Sequence, residues 1–350
     1  MQDLSKIKLA NRQYEFGSDP EIFSRDSKGQ IVPAYTFLPS KDKPIVKGDV
    51  GTPKVYSCVY NDGFQAEMRA APYGCIAYVV DTIHNGLKAI WEKSNGASLV
   101  LDNAPMIPIS VLREAPEEHV ILGCDPSQNA YNIGGKPCGD PRKLRHRFTG
   151  LHVHASGWEL TDDYEVRRKL FIPYVKALDS ILGVYFVAAG AHLESKKRRE
   201  YYGLAGEYRL PPHGLEYRVL SPIGLAHPGI TNLIFELTRG VIAVVDSGAQ
   251  NMWVADEQET IGVINENNQK AARALIDRNK NLLAILTGFG RGYTRDRAIG
   301  KNRVYSMAMN GIDSVVKDPS DFVKNWKFEG EWIGHGDGRM ESWAQLAASE

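Results

Sequence analysis

The chain has 350 residues, with 42 Lys and Arg balanced by 42 Asp and Glu, so its formal net charge is zero. Hydrophobic residues make up 43 % and charged residues 24 %. That is enough apolar surface to offset the entropy of ordering, which excludes a disordered chain, and the lack of a cationic surplus speaks against a general nucleic-acid coat protein.

The first residues, Met1 to Tyr14, are polar and carry no apolar secretory core, and no uninterrupted apolar run reaches the roughly 18 to 20 residues of a membrane span. A soluble, cytoplasmic protein is the expectation. Cys58, Cys75, Cys124 and Cys138 form no Cys-x-x-Cys pair, which favours reduced cysteines packed as core filler over a zinc or disulfide frame.

Strand-like runs dominate the first third. Glu21 to Ser24 leads through Asp26-Ser27-Lys28-Gly29 to Ile31-Val32, the pattern of a hairpin. A second hairpin is predicted from Val55 to Tyr60, the turn Asn61-Asp62-Gly63, and Phe64 to Arg69, with Pro72 ending the strand. Val80, Ile83, Leu87 and Ile90 recur at helical spacing and predict a helix over Ile76 to Lys93. The stretch Asn103 to Gly139 is rich in Pro, Gly and Asn and reads as a loop-rich insertion or lid. A strand from Leu151 to Ser156 and a helix from Asp163 to Leu182 follow, then an Arg-, Glu- and Gly-rich stretch from Lys196 to Arg218. Helices are predicted over Pro228 to Val245 and Gln258 to Leu286, and the segment after Gly288 is polar and poorly patterned. Hairpins outnumber crossovers, so the expected fold is α+β with a mainly antiparallel sheet. Residues 1–290 would form one domain and 291–350 an extension without an assigned role.

Four short segments carry the chemistry: Gly17-Ser18-Asp19-Pro20-Glu21, Gln65-Ala66-Glu67-Met68-Arg69, Gly150-Leu151-His152-Val153-His154-Ala155 and Gly214-Leu215-Glu216-Tyr217-Arg218. In a strand, residues i and i+2 point to the same face, about 7 Å apart. Asp19 with Glu21, Glu67 with Arg69, His152 with His154, and Glu216 with Arg218 therefore each share a face. Taken singly, a Glu-x-Arg pair is most often a cross-strand ion pair, and Gly17 to Glu21 reads equally as a turn. The run Lys196-Lys197-Arg198-Arg199 reads as a solvated basic face, and His146, His192, His213 and His227 show no pairing pattern and are structural by default. It is the co-occurrence that points to a site. Four carboxylates, two imidazoles and two guanidiniums on one face are costly to bury without a ligand. Oxygen donors favour Mg²⁺ or Mn²⁺, the imidazoles lean toward Mn²⁺ or zinc, and guanidinium forks match phosphate oxygens. Metal, arginine and phosphate together are the equipment of phosphoryl transfer, although neither a Walker-type phosphate loop nor the protein-kinase motif set is present.

Gly-Ser-Asp-Pro-Glu-Ile-Phe near the start, Glu-Met-Arg-Ala-Ala-Pro, Gly-Cys-Asp-Pro at 123–126, Gly-Leu-His-Val-His, Tyr202-Gly203-Leu204-Ala205-Gly206-Glu207-Tyr208-Arg209 and Leu215 to Ser221 together resemble the phage carboxylate–amine ligases of type 2, or amidoligases, of the glutamine synthetase and glutamate–cysteine ligase fold group. The likeness covers residues 15 to 245; the third motif departs from it, reading Gly-Leu-His in place of Gly-Gly-His, and the segment after Gly288 carries none of it. The resemblance implies a curved, mainly antiparallel sheet backed by helices, a glutamine synthetase-like catalytic half-barrel within residues 1–290, whose concave face holds ATP and two or three Mg²⁺ ions. It implies an acyl phosphate formed from a substrate carboxylate and displaced by an amine. Carried over by position, Glu21, Glu67 and Glu216 resemble the metal ligands, and Asp19 joins them directly or through water. His152 or His154, with His154 the stronger choice, resembles the imidazole that meets metal or nucleotide. Arg218, Arg209 and Arg199 resemble phosphate or carboxylate contacts, and Arg69 orients Glu67 or meets the substrate. Partners would be small-molecule or peptide carboxylates and amines, in a chain that resembles enzymes which often assemble as homo-oligomers. Two alternatives stay open: a guanidino-type phosphotransferase on the same fold, and a catalytically idle binding or assembly module.

Overall fold

Strict alternation along the strands divides one sheet into an apolar face and a polar one. In the computed structural model, residues 14–48, 56–120, 127–137, 139–250, 253, 255–286 and 296–332 are described. The strands are β1 (Glu15–Ser18), β2 (Glu21–Arg25), β3 (Ile31–Val32), β4 (Ile45–Gly48), β5 (Tyr56–Asp62), β6 (Gln65–Tyr73), β7 (Ser98–Val100), β8 (Gln128–Asn129), β9 (Val153–Ser156), β10 (Glu207–Arg209) and β11 (Gly214–Tyr217). Their pairings are antiparallel, and among the described residues the sheet runs β3-β2-β6-β1-β9-β11-β10-β8 without closing, with β4-β5 along the other edge of β6 and β7 on β2. The fold is α+β, as the hairpin-rich pattern predicts.

Both predicted hairpins form. Ser24 pairs with Val32, and Asp62 pairs with Gln65 across Gly63, whose φ of +64° suits glycine. Pro72 does not end its strand. β6 runs on to Tyr73, and the β1–β6 register shifts between Phe16 and Ser18, opposite the proline, where a missing N–H is tolerated.

The apolar face packs on helices. Helix α1 (Ile76–Lys93) has the predicted bounds and buries Val79, Val80, Ile83, Leu87 and Ile90 against β5 and β6. Gly86 lets it approach closely, since a Cβ there would lie 2.5 Å from Met68 Sδ. The short helices α2 (Ile109–Glu114) and α3 (Glu117–Val120) lie in the loop-rich insertion. They and the residues flanking them place Ile107, Leu112, Ala115 and Val120 with Phe23 and Phe64 in a small cluster separate from the main core. Ile22 belongs to the main core and Phe23 to this cluster, so the insertion covers the face of β2 that also carries Glu21.

Helix α4 (Tyr164–Leu178) starts on Asp163, whose carboxylate accepts from the N–H groups of Glu165 and Val166. It continues through a wide turn over Asp179–Gly183 into α5 (Val184–Gly190). After α6 (Arg198–Tyr201) comes α7 (Pro228–Asp246). The helical run Tyr164–Gly190 and α7 are each long and apolar enough to cross a membrane, which a search for uninterrupted apolar runs does not register; most of each is buried inside this molecule. The single helix predicted over Gln258 to Leu286 is instead α8 (Glu257–Asn265), α9 (Gln269–Arg278) and α10 (Lys280–Leu286). Asn267 adopts a φ of +51°, and the Asn268 side chain caps the next helix.

Beyond them, α11 (Asp296–Asn310), α12 (Phe322–Asn325) and the residues that follow each add Val304, Met307, Ile312, Phe322 and the fully buried Trp326 to the main core. The Trp326 indole donates to the Leu225 carbonyl at 2.7 Å. The described part of the predicted extension thus shares a core with the sheet. Of the cysteines, Cys58 is half-buried and Cys75 exposed, so Cys75 is not core filler; Cys124 and Cys138 lie outside the described residues.

Candidate active site

Strands β1 and β2 form almost one line, interrupted at Asp19-Pro20. Ser18 pairs with Val153 of β9, and the Glu21 N–H donates to the Gly150 carbonyl at 2.9 Å. Gly17, Asp19 and Glu21 therefore face one way, while Phe16 and Ile22 enter the main core. The same alternation puts Leu151, Val153 and Ala155 in the core and His152 and His154 on the polar face. Register aligns the rest: His154 sits opposite Gly17 and Glu216, Glu216 opposite Arg209, and Glu67 opposite both Tyr60 and Glu21.

Two groups of donors result. In the first, the oxygens and nitrogens of Asp19, His154 and Glu216 lie within 4.8 Å of one another. Asp19 Oδ1 is 2.9 Å from both His152 Nδ1 and His154 Nε2. Glu216 contacts the Arg218 guanidinium, lies 3.7 Å from His152 Nδ1 and has Arg209 Nη1 at 3.7 Å. Burial alone would raise the Asp19 carboxyl, but the His154 and His152 imidazoles overcome it and hold the group well below the usual range. Glu216 is likewise lowered against burial, by His152 and Arg218. His154 is raised despite its burial, chiefly by Asp19, whereas burial and Arg218 lower His152.

The second group is Glu21, Asp62 and Glu67, again with donor oxygens within 4.8 Å. Here the nearby cations, Arg218 for Glu21, Lys41 and Arg209 for Asp62, and Lys41 for Glu67, do not offset burial. Burial, then Glu67, pushes Glu21 well up; burial, then Asp19, pushes Glu67 up to about 7; and burial raises Asp62. Tyr60 donates to Glu67 at 2.5 Å, and the Gly150 N–H donates to Glu21 at 2.8 Å. Three carboxylates, two of them buried, that resist ionisation together are the donor set a hard divalent cation would neutralise. The first group adds one imidazole to two carboxylates, which suits Mg²⁺ less and Mn²⁺ more. Both groups fit such ions.

All the predicted residues except Arg199 meet on this face. Arg69 reaches it through Tyr60, whose hydroxyl accepts from its guanidinium at 3.4 Å. Arg218 also donates to Tyr202 and Ser127 at 3.0 Å each. Arg199 has a different job: its buried guanidinium is held by Glu194 and by the carbonyls of Gly203 and Val219. Arg198 is buried beside it on Glu194, Thr149, Val219 and Leu220. This pair ties Thr149, ahead of β9, to Val219 and Leu220, beyond β11, and is not the solvated basic face that the sequence suggests.

Four residues went unread. Asp62 carries a turn signal that masks its role as a donor. Tyr60 is recognisable only through its register with Glu67. Tyr202 contacts His152 Nε2 and comes from a loop, and His213 lies 3.0 Å from His154. The Gly-Cys-Asp-Pro motif at 123–126 lies outside the described residues.

The family model of the phage phiEco32-like COOH.NH2 ligases of type 2 matches residues 143–328. The chain belongs to this carboxylate–amine ligase family. The matched span includes His152, His154, Arg209, Glu216 and Arg218, and it extends past residue 290 to the end of the shared core. It starts later and ends later than the likeness read from the motifs, so Asp19, Glu21, Asp62 and Glu67 lie outside it, and the sheet register places them beside the residues within it. No curated protein matches the chain.

Proposed function

We propose that this ligase uses ATP to activate a carboxylate and transfers the acyl group to an amine, with the polar face of the sheet as its active site. The observation that carries the proposal is the pair of adjacent donor groups, Asp19, His154 and Glu216 beside Glu21, Asp62 and Glu67. Mg²⁺ or Mn²⁺ held there would neutralise triphosphate charge and polarise the reacting oxygens.

In the first step a carboxylate oxygen bonds to the γ-phosphorus, and the β–γ bridging P–O bond breaks with its electron pair leaving on ADP. In the second, the amine nitrogen attacks the acyl carbon, the C–O bond to phosphate breaks, and the nitrogen gives up a proton. The chain's part is to orient and to balance charge. Arg209, half-exposed at the edge of the first group, is suited to the transferring phosphoryl oxygens. Arg218 keeps Glu216 ionised and in place. Tyr60 and Arg69 hold Glu67 from the side away from Glu21.

The test is ADP release with pooled carboxylates and amines, followed by mass spectrometry of the product. ADP that depends on both pools, with a new amide, supports the reading. A phosphorylated guanidino compound, or nucleotide binding with no turnover over a broad panel, would replace it.

A further inference from the structure

His213 lies outside both donor groups, yet its Nε2 is 3.0 Å from His154 Nδ1. The contact is held by a turn built for it. Between β10 and β11 the chain passes through Leu210-Pro211-Pro212-His213, and two consecutive prolines fix φ there. Arg167 of α4 donates to the carbonyls of Leu210 and Pro211, and the Gly214 N–H donates to Pro211 at 3.0 Å. Gly214 has a φ of +153°, and a Cβ on it would lie 2.2 Å from the Ala155 carbonyl oxygen. Only glycine lets the turn press this close to β9, one residue from His154.

We infer that His213 is a positioning residue for His154: its Nε2 accepts the hydrogen on His154 Nδ1 and so leaves His154 Nε2 to ligate a divalent cation shared with Asp19 and Glu216. The inference rests on the cation reading of that group and deepens it. An imidazole that ligates a metal through one nitrogen needs an acceptor for the hydrogen on the other, and that acceptor sets tautomer and ring orientation. The two faces of His154 meet this requirement. Nε2 points at Asp19 within the donor group, and Nδ1 points at the His213 ring, whose centroid is 5.2 Å away. His213 is exposed, so its removal takes little packing from the fold.

The test is Mn²⁺ binding to the full chain without nucleotide, followed by the electron paramagnetic resonance signal of free Mn²⁺. His213→Ala should weaken one class of bound Mn²⁺ by roughly 10- to 100-fold. His213→Gln, whose side-chain oxygen can accept from Nδ1, should recover most of that loss. The melting temperature of the metal-free protein should be the same in all three. Wild-type Mn²⁺ affinity in His213→Ala would overturn the role of His213 while leaving the cation site standing. A wild-type chain that takes up no Mn²⁺ would overturn the cation reading, and this inference with it.

Discussion

Glu21 and Glu67 face each other directly across strands β2 and β6, both buried and both raised above the ordinary carboxylate range. Like charges placed opposite in a sheet are destabilising, and burial makes them more so. A site of this kind carries a cost in the free protein that a bound cation removes.

Glu67→Gln and Glu216→Gln should each lower amide formation by roughly 100-fold or more, since each takes one negative charge from a different donor group. The fold should survive, because both amides keep hydrogen-bonding capacity. Circular dichroism together with product formation checks both parts, and a wild-type rate in either variant would remove that residue from the site.

The Glu67 carboxyl titrates near 7 in the folded protein, above its ordinary value of 4.5. The unfolded chain therefore releases this proton first. Glu67 should cost the metal-free protein stability as pH rises from about 4.5 to about 7, with no further loss above. Urea unfolding of wild type and Glu67→Gln at pH 5 and pH 8 should show a gap that widens at pH 8, by up to about 3 kcal/mol. Saturating Mn²⁺ should cancel the wild-type loss. Parallel pH profiles for the two proteins would count against the environment assigned to Glu67.

Arg218→Lys should reduce turnover by about 10- to 100-fold. The guanidinium reaches Glu216, Tyr202 and Ser127 from three separate nitrogens, and one ammonium cannot span all three. Steady-state rates with saturating ATP would show it, and an unchanged rate would mean that the three contacts do not matter to the reaction.

On α1, outside both donor groups, His84 lies buried against Trp332, with ring centroids 4.0 Å apart, and burial lowers it to about 4. It stays neutral in the fold while the unfolded chain binds a proton below about 6.5. Its share of the stability is therefore complete above pH 6.5 and is lost as pH falls toward 4. His84→Phe should flatten that acid limb by about 3 kcal/mol at pH 4. If thermal melts of the variant track the wild type from pH 7 to pH 4, this assignment is wrong.

Much of the architecture was legible because it is written in local patterns. The two hairpins carry tight-turn residues, and α1 carries its apolar spacing over the whole of Ile76 to Lys93. Alternation also foretold that His152 and His154, or Glu216 and Arg218, would share a face, and register then brought distant strands together. What escaped depended on partners remote in sequence. Asp62 becomes a donor only because β6 carries Glu67 and β2 carries Glu21 beside it. Arg198 and Arg199 look solvated as a run of charges, yet Glu194 and four carbonyl groups bury them. The described residues after Gly288 show weak periodicity because they fill gaps in an existing core, with Trp326 as the largest plug.

The central claim is that one face of the sheet passes a phosphoryl group from ATP to a carboxylate before an amine arrives. Its most direct test is isotope transfer: incubate the protein with ATP, Mg²⁺, the amine pool and carboxylates labelled with ¹⁸O, and measure the label in the released phosphate. One ¹⁸O atom per phosphate, formed in step with amide, is the predicted result. Amide formed with unlabelled phosphate, or ADP released with no label transfer at all, would contradict it.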